Sequence, residues 1–61
     1  MQFFIGNIVY IKSESKEMTI SHIYSSQNNG CFDMANCVWL DKDNHLWQAN
    51  FPLLILEKRV R

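Results

Sequence analysis

Sixty-one residues, six basic and six acidic side chains and a net charge of zero describe one small domain with no room for a second. The neutral balance argues against a general nucleic-acid binder, which shows a basic face. No stretch approaches the roughly 20 apolar residues of a spanning helix, and "MQFFIGN" carries neither a basic leader nor a cleavage-site pattern, so a cytoplasmic soluble protein is expected.

Helical periodicity is missing, and runs of period two rich in β-branched and aromatic residues take its place. The first is "NIVYIK", 7–12, with Val9 and Ile11 on one face and Ile8, Tyr10 and Lys12 on the other. Gly6 ahead of it suits a tight backbone entry. "SESKE", 13–17, reads as a loop. "MTISHIY", 18–24, alternates again, placing Met18, Ile20, His22 and Tyr24 against Thr19, Ser21 and Ile23. "SSQNNG", 25–30, is the strongest breaker, because Asn-Asn-Gly favours positive φ, and it is expected to be a mobile loop.

Strand character returns from Cys31 to Asp41 and ends in "CVWL", a continuous apolar run that suggests cover on both faces. "KDNH" makes the next turn and "LWQANF", 46–51, the next strand, which is the sequence form of a hairpin. If Asp43 and Asn44 are the central pair, Lys42 faces His45 and Leu40 faces Trp47. A one-residue slip would exchange which tryptophan points inward, and the sequence leaves that register open. Pro52 cannot donate to a ladder and ends the strand. "LLILEKRV" then supplies one tight turn, of 3-10 type, and a last short strand. The residues 58–61, with Lys58, Arg59 and Arg61, form a basic tail.

Four or five short strands with turns every 8–12 residues point to an all-β domain, and at this length to a five-stranded SH3-like barrel. A core this small supplies only roughly 3–5 kcal/mol. Cys31 and Cys37 allow at most one bridge; six positions apart on one extended stretch, they read as free thiols in a reducing compartment.

A set of residues running through the chain resembles the YodC-like family of small bacterial proteins of unknown function. It comprises Phe3, Gly6, Val9, Ile11, Lys12 and Ser13, then Met18-Thr19-Ile20, then Cys37, Trp39 and Asp41, and finally Phe51-Pro52 and Leu56. The order and spacing of the whole set carry the resemblance. Departures are Asn7 in place of an aspartate, Glu14-Ser15-Lys16 in place of a Gly-Gly-Pro-like turn, Leu40 in place of an aromatic, and a longer "SSQNNGCFD" loop. The resemblance implies a small SH3-like barrel, similar at the fold level to KOW-type barrels, and fold does not fix function.

Chemistry finds little support in the spacing. Cys37, Asp41, Asp43 and His45 crowd one stretch, yet no C-x-x-C or H-x-x-x-H pair exists for zinc. "DKDNHL" breaks a calcium loop with Leu46 at its sixth position and Pro52 at its twelfth. Asp and Asn in a tight turn account for the same residues. Cys37 lies in an apolar run, Cys31 has no base beside it, and His22 and His45 fall on separate elements. The expectation is therefore no enzyme, no metal and no cofactor. What remains is binding: a module contacting a protein partner or a second copy through Tyr10, Tyr24, Trp47, Phe3 and Phe4, the aromatics placed near ends or opposite better core residues. The alternatives are a KOW-like nucleic-acid module using Lys12, Lys16, Lys58, Arg59 and Arg61 with Tyr10 and Trp47, and a small inhibitor encoded by a phage or mobile element.

Overall fold

Strand formation follows the alternation read from the sequence, and a computed structural model describes residues 3–26 and 32–59. β1 is Ile8–Ile11, β2 Glu17–Ser26, β3 Phe32–Leu40, β4 Leu46–Pro52 and β5 Leu56–Lys58, with a 3-10 turn at Leu53–Ile55. The strands form one antiparallel sheet in the order β4-β3-β2-β1-β5. The sheet is open, with β4 and β5 as its edges.

One face carries the core. Val9, Met18, Ile20, Ala35, Cys37 and Leu56 are buried, and Phe3, Ile11, Ile23, Trp39, Phe51 and Leu53 pack against them. These residues come from all five strands, from Phe3 ahead of β1 and from Leu53 in the 3-10 turn. β4 and β5 are the opposite edges of the sheet, yet only the three residues Leu53–Ile55 join them, so the sheet must curl.

The entry to β1 is a turn from Phe4 to Asn7. The Asn7 N–H donates to the Phe4 carbonyl at 3.0 Å, and the Phe4 N–H donates to Asn7 Oδ1 at 2.8 Å. Gly6 sits at φ 95°, a backbone conformation that disfavours a Cβ, and its N–H donates to the Ile20 carbonyl.

Simple alternation fails in β2. Ile20 pairs with Cys37 and His22 with Asn36, so Ser21 is one residue too many for the ladder. The bulge inverts the expected faces beyond it: His22 is exposed, while Ile23 packs against the core opposite Ala35. The Ser21 hydroxyl lies 2.6 Å from Asn36 Oδ1 and 3.2 Å from the Asn36 carbonyl, and Asn36 Nδ2 donates to Asn50 Oδ1 at 2.9 Å. A polar ladder thus ties β2, β3 and β4 on the outer face.

Other boundaries differ from the sequence reading. β2 continues through Ser25 and Ser26, so the expected loop 25–30 begins as strand; its remaining residues lie outside the described ones, as does Cys31. The run "CVWL" is covered only in part, since Leu40 is 61% exposed. Lys58 belongs to β5, and the Arg59 N–H donates to the Ile8 carbonyl at 2.9 Å. Lys58 is thus part of the sheet and the exposed Arg59 is tied to β1 by its backbone, while Arg61 lies outside the described residues.

With so few buried side chains, one deletion should cost a large share of the stability. Ile20→Ala is expected to destabilise by about 2–5 kcal/mol, comparable to the roughly 3–5 kcal/mol of a core this size. Thermal unfolding followed by far-UV circular dichroism should show the cooperative transition lost or displaced far down in temperature.

Candidate functional site

The end of the β3–β4 hairpin gathers the groups singled out in the sequence. The pairing runs Leu40 opposite Leu46 and Trp39 opposite Trp47. The Asp41 N–H donates to the His45 carbonyl, and the Asn44 N–H to the Asp41 carbonyl, both at 3.0 Å. Asn44 has φ 64°. This is a three-residue loop, Lys42-Asp43-Asn44, in which a turn is closed by one left-handed residue. The register that put Leu40 opposite Trp47 does not form, because a loop of three residues shifts the partner by one. Both tryptophans consequently share a face: Trp39 is half-buried against the core, and Trp47 remains 54% exposed.

Asp41 organises this loop through its carboxylate. Oδ1 accepts from the backbone N–H groups of Asp43 at 2.8 Å and His45 at 2.9 Å, and Oδ2 accepts from the Trp47 indole Nε1 at 2.8 Å. The bond from Trp47, then that from the His45 backbone, holds the Asp41 carboxyl below its ordinary pKa. The exposed indole is therefore tied in place at its polar end while its ring faces water. Sequence reasoning placed Asp41 in the turn and missed this role; the available signal was an aspartate closing the loop six residues before a tryptophan.

Asp41, Asp43 and His45 bring one potential metal-ligand atom each within 4.8 Å of one another. The loop itself explains that proximity, since Asp41 Oδ1 and Oδ2 already accept three N–H groups. Asp43 and His45 are exposed. Among the described residues no further cluster of this kind occurs.

The remaining aromatics do not join Trp47 in one patch. Phe3 packs against the core, Phe4 is exposed in the turn before β1, and Tyr24 projects at the far end of β2 opposite Met34. Tyr10, half-buried on the outer face, donates its hydroxyl to Glu57 at 2.8 Å; that bond and the carboxylate charge raise the phenol's pKa. The basic residues are also dispersed. Arg59 pairs with Glu17, Lys16 lies 5.0 Å above the Trp39 ring, and Lys12 is exposed beside the turn after β1.

Leu40 and Leu46, facing each other across the hairpin, were not expected at the surface, yet they are 61% and 68% exposed. With Ile8, Thr19 and Val38 they line a shallow outer-face depression of about 400 Å³ bordered by Glu17. Apolar surface thus occupies both faces of the hairpin end. Comparison with protein-family models, curated proteins and solved structures gives no match.

Cys37 is fully buried, and burial pushes its thiol pKa up. In a Cys31→Ser variant, modification by a thiol reagent should wait on unfolding and accelerate sharply in denaturant. Acid should act at the hairpin. A carboxyl with a depressed folded-state pKa contributes stability above its unfolded value of about 3.9, and that contribution is lost as pH falls through the lowered value. The Trp47 indole Nε1–H resonance should hold its position above that range and move toward a free indole below it.

Proposed function

We propose that this protein is a non-enzymatic interaction module of SH3-like architecture, acting in the cytoplasm and contacting a protein partner or a second copy of itself. Support for the architecture comes from the strand order β4-β3-β2-β1-β5 and from the 3-10 turn that joins the two edge strands β4 and β5 in only three residues. The residues Gly6, Val9, Met18-Thr19-Ile20, Cys37, Trp39, Asp41 and Leu56 fall at structurally defined positions. Val9, Met18, Ile20, Cys37 and Leu56 are buried, Gly6 holds a positive φ and Asp41 closes the hairpin loop. This fits membership of the YodC-like family.

The observation that carries the functional reading is Trp47, a large aromatic held at its indole nitrogen by Asp41 and left 54% exposed. An aromatic side chain with restricted motion loses little entropy when covered, and tryptophan is enriched among the residues that dominate interface energies. Catalysis has less support: the Cys37 thiol is buried among apolar residues, and the Ser21 hydroxyl donates to Asn36, while the neighbouring His22 ring meets the Ser21 carbonyl, at 3.1 Å. The nucleic-acid reading needs a continuous basic face, and Arg59 and Lys16 are engaged with Glu17 and Trp39.

Capture of binding partners from a bacterial lysate by the native protein and by Trp47→Ala tests the proposal. The variant should stay folded by circular dichroism and lose the captured protein. Retention of every partner by the folded variant would remove Trp47 as the contact. A parallel salt titration with single-stranded and duplex RNA and DNA should show no binding that falls with ionic strength; strong salt-dependent binding would favour the basic residues instead.

A further inference from the structure

The two edges of the sheet are protected very differently. β5 is three residues long and carries Glu57 and Lys58, the short charged form by which an edge avoids new partners. β4 is seven residues long, "LWQANFP", and contains no charged residue. Since Asp41 and His45 form a hydrogen-bonded pair, strict alternation makes Trp39–Trp47, Cys37–Ala49 and Ala35–Phe51 the pairs that bond across β3 and β4. The main-chain N–H and C=O groups of Leu46, Gln48 and Asn50 then point away from β3. Pro52 falls in the same outward set, where it removes no bond to β3.

We infer that the β4 edge pairs antiparallel with the β4 edge of a second copy, about a two-fold axis at Gln48, joining two sheets into one. This rests on the interaction-module reading and names the partner. The occupant follows from the chemistry of the edge. Outward N–H and C=O groups alternating along an extended strand are met by another strand, and a strand paired with its own copy must be self-complementary. Centring on Gln48 makes the edge so. Gln48 faces the partner's Gln48, each amide offering both donor and acceptor. Leu46 and Asn50 face the partner's Asn50 and Leu46, and the three rows supply about six main-chain hydrogen bonds. Trp47 falls opposite the partner's Ala49, in a close pair where a bulky ring meets a small side chain. The lack of charge in β4 means that the two-fold brings no like charges together.

Sedimentation velocity over a concentration series reads the association directly. The native protein should pass from monomer to dimer as concentration rises. Gln48→Lys and Gln48→Glu each place like charges across the axis; each should lose the dimer at concentrations where the native protein is half dimeric, with unchanged circular dichroism. An equimolar mixture of the two variants should regain it, because lysine then faces glutamate. A native protein that stays monomeric, a dimer indifferent to Gln48→Lys, or a mixture that fails to restore association would each overturn the inference. A monomeric native protein that still captures a partner through Trp47 would overturn self-pairing alone and leave the interaction module standing.

Discussion

Ser21 has no partner of its own in the ladder, and the packing of the sheet depends on how that extra residue is accommodated. Up to Ile20 the inward positions of β2 are even-numbered; from Ile23 they are odd-numbered. Without the bulge, His22 and Tyr24 would face the core and Ile23 would face water. A bulge also increases local twist and bends the strand that contains it. β2 is the middle strand of the five, so bending it brings the β1–β5 side toward the β3–β4 side. The bend lets the three-residue 3-10 turn connect β4 to β5 although they are opposite edges of the sheet. Ser21's hydroxyl then faces Asn36, which in turn donates to Asn50, so the irregular point is braced by side chains on the outer face.

Where the sequence pattern was regular, it read out as structure. Val9 and Ile11 share the core face as their alternation requires, and Gly6 takes the positive φ that a tight entry demands. Pro52 closes β4 ahead of a 3-10 turn. The inversion in β2 was not legible, because nothing in "TISHI" distinguishes a bulged serine from an alternating one; the competing pairing with β3 decides it. The hairpin residues were legible as a turn, but its register depended on whether the loop had two or three residues, and Asn44's left-handed φ settles it. Exposure at Leu40 and Leu46 was hidden for a related reason. A continuous apolar run signals two-sided cover only when another layer exists, and this small sheet has one core face.

Electrostatics in this neutral chain are local. Glu17 answers Arg59 across β1, Glu57 accepts from Tyr10, and Asp41 collects the N–H groups of its own loop and of Trp47. Exposed ion pairs contribute little to stability, so the effect of these contacts lies more in placement than in energy. The short β5 edge carries charged side chains, and Glu57 on it accepts from Tyr10 of the neighbouring strand. The hairpin end, by contrast, leaves Leu40, Leu46 and Trp47 open with its charges confined to the loop tip.

That asymmetry connects fold to function. A sheet that closes on itself removes both edges, whereas an open one keeps two. Here one edge is short and charged, and the other is long and uncharged beside the most exposed apolar side chains of the hairpin. Stability alone would not favour such a distribution, since these leucines and the tryptophan stand outside the six buried core residues found among the described ones. Trp47 makes the contrast sharpest. Its ring shares a face with Trp39 but lies beyond the reach of the core, and its indole nitrogen is already satisfied by Asp41. Covering that ring requires no new polar partner. A neighbouring strand on β4 would bury it while pairing the outward backbone of Leu46, Gln48 and Asn50, so the same contact answers both features of this edge.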